Sequence, residues 1–262
     1  MKLSQLCKPL AYLLFLPVLL PPVAHADTGK PLMICIDTDG LDSESKDPHP
    51  EKLFTGPIIS IVTEVFRQAG KDIKLVNDGP WNRCLHDVEL GYMDFAMGAY
   101  YDEKRARVFD YSDHYNTLTP SIFFLASKQF KIEKPEDLKK LRGCGINGYS
   151  YAHYNIRPEE LDLTTNYGSL YRKLIADRCD YFLDELESFI SSSNEIDFFH
   201  NPLIRHVPVA WANPPASYVI TKKSGPNSNN LKDFNQSLKV VIKSGIAARI
   251  WNDSISDIPY RP

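Results

Sequence analysis

Short apolar segments alternate with amphipathic ones along this chain, and that alternation limits the available folds more than any other feature. Pro31 to Asp37 (PLMICID) reads as a strand. Pro57 then opens a helix in which Ile58, Val62, Val65, Phe66 and Ala69 keep a 3.6-residue period. A second strand is expected at Ile73 to Val76. After the Asp78-Gly79-Pro80 turn, Trp81, Cys84, Leu85 and Val88 recur at i, i+3, i+4 and i+7 until Gly91 stops the helix, and Phe95 to Ala99 supplies a third strand. A β-α-β-α-β order implies an α/β fold with a parallel sheet and right-handed crossovers.

The pattern restarts after Pro120, with an extended segment from Ser121 to Ala126, a short helix from Pro135 to Lys140 and a strand from Cys144 to Asn147. Helices near Ser150 and Ser169, a strand from Cys179 to Leu183 and a short helix from Glu185 complete it. Two such units point to two lobes. Arg205 to Thr221 is extended and carries Pro208, Pro214 and Pro215, so it reads as the return crossing between them. Leu231, Phe234, Leu238, Val241 and Ile242 form a last amphipathic helix.

Residues 1–26 differ from the rest. Lys2 and Lys8 lead into an apolar run from Leu10 to Leu20, about 11 residues against the roughly 20 of a spanning helix. Ala24-His25-Ala26 follows, which fits a signal peptide cleaved before Asp27. Cys7 precedes the apolar run and would leave with the leader, so the expected product is a secreted, soluble protein without a lipid anchor. No later apolar run is long enough for membrane insertion. The net charge is −3 and becomes more negative once Lys2 and Lys8 are removed, which argues against nucleic acid as a partner.

Cys35, Cys84, Cys144 and Cys179 remain, an even number in a chain bound for an oxidising compartment. Disulfides are expected, with three pairings open. Their wide spacing, without CxxC or a nearby His pair, gives no support to a metal site, and no motif calls for a cofactor.

From Pro80 to Tyr115 the chain reads PWNRCLHDVELGYMDFAMGAYYDEKRARVFDYSDHY. Gly91, Asp94, Arg105 and the run Phe109-Asp110-Tyr111-Ser112 to Tyr115 appear in the order found in the extracellular solute-binding proteins of family 3, the amino-acid-type binding proteins of ABC importers, and the segment resembles that family. The resemblance continues through Pro135-Glu136-Asp137-Leu138, Gly148-Tyr149-Ser150 and Arg178 to Asp184, and ends at Lys243-Ser244-Gly245, Ile250 and Trp251. Trp81-x-Arg83-Cys84 is similar to a narrower branch in which a first-strand cysteine accompanies it.

What the resemblance implies is a type II periplasmic binding protein-like fold: two Rossmann-like α/β lobes joined by a two-crossing hinge near Leu118 to Phe124 and Val207 to Tyr218. Residues 27–120 and 216–262 would form lobe 1 and 121–215 lobe 2. It further implies bridges Cys35–Cys84 and Cys144–Cys179, a periplasmic monomer that closes on a small polar ligand, and a membrane permease of an ABC importer as partner. Arg105 would grip a ligand carboxylate. Asp184 would either accept from an α-amino group or cap the following helix. Trp81, Tyr100, Tyr101, Tyr149 and Tyr151 are candidates to stack on the ligand, Arg83 is either a second anion donor or a solvated side chain, and Gly148 and Ser150 offer backbone N–H groups at a helix start.

Two departures from the family pattern bear on specificity. Asp102 stands where the family has Thr or Ser, so either the loop turns it away from the site or the ligand carries extra positive charge. The acidic stretch Asp37 to Asp42 stands where an aromatic is common. Two other functions use the same fold: a periplasmic enzyme of cyclohexadienyl dehydratase type, and a ligand-sensing module without transport. The chain shows no HExxH, GxSxG or nucleophile–base pair, which favours binding over catalysis.

Overall fold

Pro57 opens the first helix and Gly91 follows the last residue of the second, as the sequence leads one to expect. In the computed structural model, which describes residues 29–36, 56–77, 79–192, 201–256 and 258–262, β1 (Leu32–Cys35) is followed by α1 (Pro57–Gln68), β2 (Ile73–Val76), α2 (Trp81–Leu90) and β3 (Phe95–Tyr100). The leader, Asp78 and the acidic stretch Asp37–Asp42 lie outside the described residues. Gly91 adopts φ 82° and closes α2 with a Schellman pair, its own N–H donating to Val88 O and that of Tyr92 to Asp87 O.

The chain continues through β4 (Phe109–Tyr111) and β5 (Asn116–Thr117) into the second lobe. There it forms β6 (Pro120–Leu125), α3 (Pro135–Leu138), β7 (Gly143–Ile146), β8 (Asp162–Thr164), α4 (Tyr167–Ile175), β9 (Tyr181–Glu185), α5 (Leu186–Ser192) and β10 (Ile204–Pro208). It returns through β11 (Ala216–Lys222) and ends in α6 (Ser228–Lys243) and α7 (Ile246–Ser254).

Each lobe holds one sheet, ordered β2-β1-β3-β11-β4 with β5 on β11, and β10-β6-β9-β7-β8. Both sheets are mixed, which amends the expectation of a purely parallel one. The strands of the β-α-β units are parallel (β1 with β2 and β3, β7 with β8 and β9), whereas β11 runs antiparallel to β3, and β6 antiparallel to β9 and β10. The antiparallel members carry the chain between lobes, and a strand entering from the neighbouring lobe starts at the opposite end of the sheet. The three-residue β8 and the separate helix α7 also escaped the sequence pattern. The expected helix near Ser150 is a 3-10 turn, Ala152–Tyr154.

Apolar side chains pack on both faces of each sheet. In lobe 1, Ile61, Val65, Phe66, Phe234 and Trp251 cover one face and Trp81, Cys84 and Val88 the other. In lobe 2, Leu170, Leu174 and Phe189 cover one face, and Leu138, Tyr151 and Tyr154 the other. Several residues of the family-like motif serve this scaffold. Asp94 Oδ2 accepts from the Met33 N–H and Oδ1 from Asn227 Nδ2, tying β1 to the start of α6. Ser112 Oγ accepts from the Val219 N–H.

The two crossings lie side by side, with Leu118 N–H donating to Pro215 O and Val209 N–H to Pro120 O. The C-terminal tail covers them. Thr117 N–H donates to Arg261 O, and Arg261 Nη2 reaches both Thr119 Oγ1 and the buried Glu187, itself bonded to the Thr119 backbone. No helix among the described residues is long and apolar enough to cross a membrane.

Disulfides join Cys35 to Cys84 and Cys144 to Cys179, at Cα separations of 5.7 and 5.8 Å, within the span of roughly 4.4–6.8 Å that a bridge needs. The first ties β1 to α2. The second links β7 to the turn entering its neighbour β9. Cys144–Cys179 closes a 35-residue separation, so replacing both by alanine is expected to lower unfolding free energy by about 3–4 kcal/mol on the chain-entropy model. Denaturant midpoints of the wild type and the double alanine variant check this; equal midpoints would contradict it.

Candidate ligand-binding site

The seam between the lobes is built from the end of β3, the turn after it and the start of α2 on one side. The ends of β7 and β9 form the other. Asp102 shapes the turn: its Oδ1 accepts from the backbone N–H groups of Lys104 (2.9 Å) and Arg105 (3.0 Å), and Arg105–Arg107 close into a 3-10 turn. The acid that replaces the family's hydroxyl is thus directed onto its own backbone, where it orients the arginine that follows.

Arg105 is half-buried and reaches across the seam, Nη2 donating to Gly148 O at 2.7 Å, with Cζ 6.0 Å from the centroid of the Trp81 ring. It makes no ion pair with a carboxylate among the described residues. Burial draws its pKa below the ordinary guanidinium value, an effect opposed by Tyr111, Asp102 and Tyr100. The group stays charged, since a guanidinium does not give up its proton in a protein. A desolvated cation with spare donors is a receptor for a planar anion.

Gly148 sits at φ +88°, and a Cβ added there would lie 2.3 Å from Asn82 Oδ1 on the first turn of α2. Tyr149 packs against the cores of both lobes. Ser150 follows, half-buried, before the 3-10 turn. A site centred on Arg105 therefore gathers Trp81, Gly148 and Tyr149 from two lobes.

The acidic wall comes from β9. Asp184 is buried, its Oδ1 accepting from the Glu185 N–H at 2.8 Å and its carbonyl from Tyr154 OH at 2.6 Å. Glu185, read from sequence as the first residue of a helix, is instead the last residue of β9 and only 2% exposed. Its Oε2 accepts from Tyr100 OH of the other lobe and its Oε1 pairs with His153 Nε2. Ser188 Oγ lies 3.3 Å from the same hydroxyl, and the Tyr100 ring meets His153 edge-on at 5.9 Å. Burial, with Glu185 and Asp184 adding, pushes the Tyr100 hydroxyl pKa well up, so it remains a neutral donor.

Other candidates fall elsewhere. Arg83 projects into solvent, 64% exposed, with Nε 3.8 Å from Asp87. Tyr101 is 59% exposed beside Tyr111. Tyr151 is buried, its hydroxyl held by the Ile146 backbone. Sequence reasoning passed over His153 and Asn82, and considered Glu185 only, with Asp184 and Asp102, as a general acid in the enzyme alternative. The only local signal was a pair of acids ending an apolar strand, because their partners lie far away in the chain. Among the described residues no group of His, Cys, Asp or Glu is placed to hold a metal ion.

Comparison with known proteins agrees with this architecture. The family model for bacterial extracellular solute-binding proteins, family 3, matches residues 32–255, while no curated protein sequence matches the chain. Among solved structures, the chain is similar to the arginine-, lysine-, histidine-binding protein ArtJ of Geobacillus stearothermophilus at 17% identity and TM-score 0.70, covering 88% of this chain and 97% of that one. A histidine kinase sensor domain with similarity to periplasmic binding proteins matches at 18% identity and TM-score 0.71, covering 89% and 98%. The L-arginine-bound AbpA of Streptococcus pneumoniae Canada MDR_19A matches at 17% and 0.66, covering 86% and 94%. With the family model spanning both lobes and the hinge between them, the chain belongs to the bacterial extracellular solute-binding proteins, family 3.

Proposed function

We propose that this protein captures a small zwitterion, an amino acid or close relative, between its lobes in the periplasm and delivers it to the permease of an ABC importer. In this reading residues 27–120 and 216–262 move as one lobe and 121–215 as the other, hinged at the paired crossings. The observation that carries it is Arg105, a half-buried guanidinium whose side chain makes, among the described residues, one hydrogen bond, to the Gly148 carbonyl. Closure over such a group is favoured when a carboxylate shares the space, and the β9 acids opposite suit an ammonium. The arginine-, lysine- and histidine-binding relatives of the same fold are in keeping with this choice of ligand.

A thermal-shift panel of the common amino acids tests the proposal. A true ligand at a hundredfold excess over Kd should add about 2.7 kcal/mol to the folded state, and a flat response to every amino acid would refute it. A second reading, an enzyme of dehydratase type, draws on the buried Glu185–His153 pair, since a carboxylate–imidazole couple can move protons. Turnover of prephenate or arogenate would decide for it.

A further inference from the structure

Two charges at the seam are each engaged by the opposite lobe. Arg105, which follows β3 in lobe 1, donates from Nη2 to the carbonyl of Gly148, which follows β7 in lobe 2, at 2.7 Å. Glu185, buried at the end of β9 in lobe 2, accepts on Oε2 from the hydroxyl of Tyr100 at the end of β3. The arrangement is reciprocal: the cation of one lobe meets an acceptor of the other, and the anion meets a donor. Tyr149 adds an apolar tie, packing against both clusters of lobe 2 and against the Trp81 cluster of lobe 1. Hydrogen bonds to charged groups are the stronger ones, so the two polar links together favour the shut arrangement without any outside group.

We infer that these contacts form a self-closing latch, which holds the lobes shut without a ligand and which a captured zwitterion must displace. Its carboxylate competes with the Gly148 carbonyl for Arg105, and its ammonium with the Tyr100 hydroxyl on the acidic wall. Such a latch is autoinhibitory, because only the open fraction admits ligand and apparent affinity falls in proportion to that fraction. The inhibitory role rests on the proposed capture of amino acids; the latch itself is read in the free protein.

Double electron–electron resonance between spin labels on Glu89→Cys of α2 and Glu159→Cys of lobe 2, both exposed positions, reports the lobe separation. After labelling, bound small molecules are removed by unfolding in guanidinium and refolding with the disulfides kept. The stripped wild type is expected to give one short distance, that of the shut lobes. Tyr100→Phe, which removes only the hydroxyl, should raise the ratio of open to closed roughly tenfold, the size of one hydrogen bond to a charged group. Tyr100→Phe combined with Arg105→Ala removes both links and should make the longer distance dominant. If the double variant does not fold, each single variant is read alone. A stripped wild type that stands open, or distances that the substitutions leave unchanged, would overturn the latch, and amino acids that close such an open protein would leave capture standing. A protein latched as expected that responds to no common amino acid would instead refute capture alone.

Discussion

Replacing Arg105 by alanine is expected to abolish tight ligand binding while leaving the fold intact. In the closed seam the ligand carboxylate would lose its charged partner and stay buried, and truncating one member of a hydrogen-bonded charge pair typically costs about 2–5 kcal/mol, much of it the penalty of the stranded charge. Stability should barely change. The side chain lies outside the four apolar clusters, its contacts being the Gly148 carbonyl across the seam and the Trp81 face in its own lobe. Arg105→Lys should recover part of the affinity, because it restores the charge but not the two-pronged donor geometry. Calorimetry gives the affinities and a denaturant midpoint the stability. Unchanged affinity in Arg105→Ala, or a loss matched by unfolding, would remove Arg105 from the site.

The second large effect is expected at Gly148. An alanine there meets two obstacles: a left-handed backbone, φ +88°, and a Cβ 2.3 Å from Asn82 Oδ1 in the opposing lobe. The first costs about 1–2 kcal/mol wherever the lobes stand. The second acts only on closure, so ligand affinity should fall by more than the stability change explains, by on the order of tenfold or more. Asn82→Ala combined with Gly148→Ala should return much of the lost affinity, because it removes the atom that the new methyl strikes. A double-mutant cycle on affinity reads that coupling directly. Additive effects would mean that the Gly148–Asn82 approach plays no part in binding.

The fold was legible in the sequence where local chemistry and tertiary structure agree. The period of Val62, Val65 and Phe66 is the buried stripe of α1, and Gly91 terminates α2. The family resemblance carried the two bridges and the register of Asp94 and Ser112, whose hydrogen bonds turn out to hold lobe 1 together. Strand direction was not legible, because the antiparallel placement of β6 and β11 follows from how the chain re-enters each sheet and not from residue pattern. The site divides in the same way. Arg105 could be picked out because it sits in a motif, and Asp102 beside it gains meaning only from the turn that aims its carboxylate at the Lys104 and Arg105 N–H groups. Glu185 finds Tyr100 across 85 positions and His153 across 32.

A crystal structure of the protein with the amino acid selected by thermal shift tests most directly whether the lobes enclose a zwitterion. The expected density is a carboxylate accepting two hydrogen bonds from the Arg105 guanidinium at about 2.7–2.9 Å, with its ammonium toward the β9 acids and both lobes in contact. A ligand on the outer surface of one lobe, or a closed seam in which Arg105 touches only the Gly148 carbonyl, would contradict it.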